Sequence, residues 1–341
     1  MTRFTKPALT AREQLELLVE RGLQVQDADR ALRLLEVTTL FRLSPYMRPF
    51  QYPEDRDHAF KPGSQLADIV RAYRFDSDLR QLLMVALERV EVAVRACISH
   101  HMAPTYGPHW YLDRSLFSHR YRFGRMIGDI ENTLASERTK FQREQQQILK
   151  SRVSDKVKDQ RIESRKRDNY PRFYAETYSD PCLPPSWAAL EEMSLGAISH
   201  LYQGLAKDRD RKAIATRFGL PQRVLGSWLH TLTFVRNICA HHARLWNREL
   251  GIPPRWDDSI PTPDGRPGRD VPRRLFTVMA MLTHLTTQIS PDTRWPGRLQ
   301  ALLAEYPDIP RQPMGFPDDW QQRLASLHPL PPAATGGAQT R

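Results

Sequence analysis

Along most of the chain the apolar residues return at three- and four-residue steps, and no segment shows a convincing strict alternation. The first period belongs to helices and the second to half-buried strands, so the pattern predicts an all-α fold. The clearest run is LADIVRAYRFDSDLRQLLMVALERVEVAVRACISHHMA, which starts at Leu66. It sets Leu79, Leu82, Leu83, Ala86, Leu87, Val90, Val94 and Cys97/Ile98 on one stripe,. Asp76 reads as a cap in the middle of that run, and Arg80, Glu88, Arg89, Glu91 and Arg95 as its solvated face, with i,i+4 pairs such as Glu91–Arg95,. Upstream, Thr10 and Glu13 have capping-box spacing, and Asp27 can cap a second helix,. The proline-broken stretch SPYMRPFQYPEDRDHAFKPG separates these from the long run,.

Downstream, 138–172 is strongly charged and poor in large apolar residues, as expected of a long exposed helix or a partly disordered arm,. Its basic run Arg165, Lys166 and Arg167 is either a solvated face or a contact for nucleic acid,. Further helices follow from Trp187, after Asp208 and Leu220, and again after the Pro/Gly loop GIPPRWDDSIPTPDGRPGRDVP,. The end, PLPPAATGGAQTR, reads as a disordered tail,. The resulting division is an N-terminal helical subdomain over 1–60 and a helical domain over 61–250 that carries the charged insert. C-terminal helices over 251–327 pack on that core, and a tail occupies 328–341,.

Candidate chemistry concentrates in VRNICAHHARLWN, from Val235 to Asn247. With Trp228 to Arg248 taken as one helix, Trp228, Leu232, Val235, Cys239, His242 and Trp246 form its apolar seam,. His242 then reads as a structural histidine with a satisfied ring nitrogen. The opposite face carries Asn237, His241, Arg244 and Arg248, either a solvated face or a site,. Arg236 lies on the flank, roughly 140° round the wheel from His241, so a straight helix does not stack the two. A reaching arginine, or a second copy of the helix, can bring them together.

An imidazole can take the 2′-hydroxyl proton of RNA or protonate a leaving 5′-oxygen, and a guanidinium can hold the scissile phosphate. An asparagine can orient the imidazole or bind a phosphate oxygen. No carboxylate cluster lies near these residues, so neither metal nor cofactor is expected,. The net charge of +11 adds an attraction for polyanions,. Cys97, Cys182 and Cys239 are widely spaced and odd in number, which suits a reducing cytosol rather than a disulfide framework,. No apolar run is long enough for a transmembrane helix, and MTRFTKPALTAREQLELL has no signal-peptide core,.

RNICAHH resembles the Arg-x4–6-His signature of the HEPN superfamily of all-helical ribonucleases. Arg236 stands as its arginine, Asn237 as the polar residue after it, and His241 or His242 as its histidine, with the wheel favouring His241. The blocks KPALTAREQLELLVERGL, FRLSPYMRPFQ, LRQLLMVALERVEVAVRACISHHMAPTYG, LPPSWAALEEMSLGAISHLYQGL, VRNICAHHARLWNREL and MGFPDDW come in the order seen in Abi-like proteins, the abortive-infection family of the AbiD/AbiF type. The resemblance runs from about Lys6 to Trp320 and leaves out the charged insert and the tail. It implies a HEPN-like helical bundle with an N-terminal helical extension and a Pro-rich C-terminal tail. It further implies a cytoplasmic antiphage toxin that works as a homodimer, and a metal-independent endoribonuclease acting by 2′-OH transesterification. Arg236, Asn237, His241 and His242 are then the catalytic candidates, and Arg244, Arg248, Arg165, Lys166 and Arg167 the nucleic-acid contacts. A non-catalytic protein that binds a structured non-coding RNA is the alternative, and a sensor of a phage component with a purely structural motif helix is a third reading.

Overall fold

The computed structural model describes residue 3, residues 7–263, residue 265 and residues 271–327. Among them are fourteen α-helices and no strand, only isolated bridges such as Gln24 with Gln65. The predicted all-α class is the observed one. The tail at 328–341 lies outside the described residues.

Helix α1 (Ala11–Glu20) begins with the expected capping box: Thr10 accepts from the Glu13 backbone, and Glu13 accepts from the Thr10 backbone,. Asp27 likewise caps α2 (Ala28–Thr38), and α3 (Leu40–Met47) follows. Between α2 and α3, Thr39 has φ +67° and ψ 147°, a conformation that side-chain-bearing residues rarely hold,.

Helix α4 (Leu66–Tyr106) is continuous over 41 residues, roughly 60 Å at the standard rise,. Asp76 therefore does not cap a break. It sits inside the helix and is fully buried, together with Arg80, which the wheel had set on the solvated face. The predicted stripe is the core face: Leu79, Leu83, Ala86, Leu87, Val90, Val94 and Ile98 have no exposed surface. The expected Glu91–Arg95 pair is present at 2.5 Å.

The charged insert is folded. Helices α5 (Phe123–Leu149), α6 (Asp155–Arg167) and α7 (Tyr170–Thr177) pack on one another. Arg172 fastens them with a bond to Glu144 at 2.8 Å and one to Glu137 at 3.3 Å, over the buried ring of Phe141. Helix α6 itself buries nothing.

The rest of the chain returns to α4. After α8 (Ser186–Ala189) come α9 (Leu195–Gly204), α10 (Asp208–Thr216) and α11 (Gln222–Ala240), then α12 (Leu275–Ile289), α13 (Trp295–Glu305) and α14 (Trp320–Ser326). Helices α3, α8, α9, α10, α11, α12 and α13 all pack on α4, and α9 also packs on α11. Because α12 is enclosed, it buries residues on all sides, including Thr277, Thr283, Thr286 and Thr287,.

Candidate functional site

Helix α11 carries the Arg–His segment and ends sooner than its apolar period suggests. Its last residue is Ala240, not Arg248. His241 is the C-cap, and His242 takes a left-handed conformation at φ +54°. The His242 N–H bonds the Cys239 carbonyl and the Ala243 N–H bonds the Ile238 carbonyl, both at 3.0 Å. That pair of bonds is the Schellman closure of a helix, here with histidine where glycine is usual.

Past the helix end the chain is fastened to Asp76. Its buried carboxylate accepts from the Trp246 backbone N–H at 2.6 Å and from the Leu245 N–H at 3.2 Å. The Tyr46 hydroxyl donates to it at 2.5 Å, and the Arg80 guanidinium forms a very short bond with it. Burial pushes the Asp76 carboxyl upward, opposed chiefly by the Arg80 charge and then by its hydrogen bonds,. Burial and the Asp76 charge both push the Tyr46 hydroxyl upward. Trp246 is then stacked on Tyr46, ring planes 7° apart. From the other side, Arg42 of α3 donates to the His242 carbonyl at 2.8 Å.

The turn rearranges the expected face. His242 leaves the apolar seam and is exposed, as are His241 and Asn237. Arg244 and Arg248 do not continue the Asn237–His241 face. Arg244 is half-buried and donates to the Trp246 carbonyl at 2.8 Å and the Asn247 carbonyl at 3.2 Å, and burial lowers its pKa. Arg248 donates to the Arg244 carbonyl at 3.3 Å and lies over the Phe234 ring. Both brace the turn. Arg165, Lys166 and Arg167 form the last turn of α6; Arg167 pairs with Glu163 at 2.8 Å, and Lys166 lies over Phe173.

Arg236 is half-buried and opens into a shallow cavity of about 400 Å³ against α4, lined by Met84, Val85, Leu87, Glu88, Glu91, Val92 and Arg95. Glu91 is engaged by Arg95, which also bonds Glu191 at 3.2 Å and the Met193 carbonyl at 2.6 Å. The side chains of Arg236, Asn237, His241 and His242 make no hydrogen bond or ion pair with another described residue. An unpaired guanidinium in a groove is available to an anion, and an exposed imidazole is available for proton transfer. Within one chain the groove takes Arg236 and not His241.

Nearby thiols offer no nucleophile: burial pushes Cys239 up to about 12,. Among the described residues no group of three His, Cys, Asp or Glu could hold a metal ion, and no helix is long and apolar enough to cross a membrane.

Sequence reasoning missed Tyr46 and Arg42, and misread Asp76 and Arg80. One signal was available: Asp76 continues the buried row of Ile69, Ala72, Leu79 and Leu83, where an acid is costly unless paired,.

A family model described as Abi-like protein matches residues 33–247, more than half of the chain. The match ends at Asn247, just past the turn that closes α11. Nothing matches among curated proteins or solved structures.

Proposed function

The chain belongs to the Abi-like protein family, which points to abortive-infection defence, and on that premise we propose that it is a metal-independent endoribonuclease of HEPN type. Arg236 holds the scissile phosphate and stabilises its added negative charge. His241 takes the proton from the 2′-hydroxyl as that oxygen attacks phosphorus. The bond from phosphorus to the 5′-oxygen breaks, a 2′,3′-cyclic phosphate forms, and the 5′-oxygen leaves with a proton from an imidazole. Asn237, one turn before His241 and without a side-chain partner of its own, binds a phosphate oxygen or orients that ring once RNA is bound.

The observation that carries this reading is the unpaired, half-buried Arg236 on the same helix end as an exposed, unpaired His241. Since the two do not share one cavity, a homodimer supplies the complementary half of each site. Val85 and Val92, exposed beside Arg236, give that dimer apolar surface to cover,.

The test is purified full-length protein on end-labelled RNA in EDTA. Wild type is expected to cut and leave cyclic phosphate ends, and Arg236→Ala and His241→Ala to cut at least about 100-fold more slowly, as for loss of an acid–base group. Equal cleavage by wild type and His241→Ala defeats the assignment. A second reading, RNA binding without cleavage, is favoured by the basic last turn of α6 and the net charge of +11. It expects affinity to fall steeply with salt, with no cleavage at any salt concentration.

A further inference from the structure

The arm of α5, α6 and α7 gathers charge that the Arg–His site does not use. Between residues 138 and 167 it carries eleven basic and four acidic residues. Three of the four acids are engaged, Glu144 by Arg172, Asp155 by Lys158 and Glu163 by Arg167, which leaves Asp159. On the basic side, Arg143, Lys150, Arg152, Lys156, Arg161 and Arg165 are exposed, and their side chains make no hydrogen bond or ion pair with another described residue. Arg161 and Arg165 stand four residues apart on α6, so they share a face,.

Beside this charge lies an aromatic cluster. The Tyr174 ring of α7 is 6.2 Å from Tyr170 and 5.0 Å from Tyr178, and Phe173 lies 6.1 Å and 6.3 Å from the same two. Tyr174 is buried and anchored, its hydroxyl donating to the Pro181 carbonyl at 2.8 Å. Tyr170 and Tyr178, at the two ends of the cluster, are 41% and 50% exposed. Lys166 joins the charge to the rings. It belongs to the same turn of α6 as Arg165, and its ammonium lies 5.8 Å from the Phe173 ring centre,. Asp168 and Glu176 flank the rings in sequence and thin the positive charge there.

We propose that this arm binds a single-stranded nucleic acid, with its phosphates on Arg161 and Arg165 and its bases on Tyr170 and Tyr178. Cations alone suit any polyanion. Exposed rings beside them supply a stacking surface for bases, because every base has a π-face whatever the sequence. A duplex keeps those faces stacked inside, so it meets the cations and not the rings. A lipid surface needs a helix with an apolar face, and α6 has only Val157 and Ile162, roughly 140° apart on the wheel,. The proposal stands whether or not Arg236 and His241 cut RNA, because none of its residues belongs to that site.

The test is fluorescence anisotropy of full-length protein with labelled oligo-dT, which has no 2′-hydroxyl and so gives a binding signal free of transesterification. Tyr170→Ala combined with Tyr178→Ala is expected to weaken binding at least about tenfold, as for loss of base stacking. Tyr170→Phe combined with Tyr178→Phe should bind like wild type, because both rings remain. An abasic strand of equal length and a duplex should not register the loss of the rings. Arg161→Gln combined with Arg165→Gln should weaken binding to all three probes and flatten the salt slope for oligo-dT by about 1.4, the value for two phosphate contacts on a single strand. Oligo-U with 2′-O-methyl sugars separates the two sources of this chemistry: tighter binding than oligo-dT identifies RNA as the occupant, and weaker binding identifies DNA. The proposal fails if the alanine pair binds oligo-dT like wild type, or if it weakens the abasic strand and the duplex as much as oligo-dT. It fails too if polyglutamate displaces oligo-dT as well as unlabelled oligo-dT does, which assigns the arm to an acidic protein.

Discussion

Replacing Asp76 tests the claim that a buried carboxylate shapes the candidate site. In Asp76→Ala the Arg80 guanidinium, 6% exposed, loses its partner, and the Leu245 and Trp246 N–H groups lose their acceptor. Breaking a buried ion pair from one side costs about 3–5 kcal/mol, and each orphaned amide about 1–3 kcal/mol. These contributions overlap, since water entering one hole serves several donors, so a loss of about 5 kcal/mol is expected. That is a large part of the roughly 5–15 kcal/mol that keeps a domain folded. Asp76→Asn retains the shape and one acceptor for Trp246, and is expected to lose about 2–3 kcal/mol, the value of a hydrogen bond to a charged group. Urea unfolding followed by tryptophan fluorescence measures both. Adding Arg80→Met to Asp76→Asn should cost less than the sum of the two single changes, because it removes the orphaned charge. An Asp76→Ala protein within about 1 kcal/mol of wild type, or strict additivity in the cycle, refutes the reasoning.

Four further outcomes are expected. His242→Gly relieves the left-handed strain at φ +54° and should stabilise the chain by about 1 kcal/mol,; if it also abolishes RNA cleavage that His241→Ala leaves intact, His242 is the acid–base. Gly204→Ala places a methyl 2.4 Å from the Tyr121 ring and should cost about 1–3 kcal/mol in urea unfolding,; an unchanged midpoint shows that the ring moves freely. Arg172→Ala should raise amide exchange across 123–177 with little change in the global midpoint, because its partners Glu137 and Glu144 both lie in the arm,; uniform loss of protection throughout the chain contradicts that. Burial holds His284 below the ordinary 6.5. The unfolded chain then binds protons more tightly, so stability is full above about pH 6.5 and falls as pH drops below it. The urea midpoint should fall between about pH 7.5 and pH 5.5, and fall less in His284→Gln; an unaltered slope in that variant removes His284 from the account.

Helices and their caps were legible because they are local: Thr10 with Glu13, Asp27, and the apolar row of α4 need only neighbours in sequence. The end of α11 was not. Its apolar period runs on to Trp246, but the chain leaves the helix at His241, where a carboxylate 170 residues earlier takes the Trp246 N–H and Arg42 takes the His242 carbonyl. The insert was ambiguous for a similar reason. Its composition resembles an unfolded segment, yet Arg172 finds two glutamates and an aromatic ring once α5 and α7 meet. Of the candidate residues, Arg236, Asn237 and His241 were legible as available polar groups, whereas the bracing bonds of Arg244 and Arg248 depend on the turn.

Fragmenting the protein should be harder than its many loops suggest. One uninterrupted rod runs from Leu66 to Tyr106 and gives shelter to segments from both ends of the sequence. A protease nicking the link before it, or the one between α11 and α12, leaves pieces that each expose a long greasy strip. The severed parts should therefore stay associated until denaturant is added, and come apart only when the whole assembly melts.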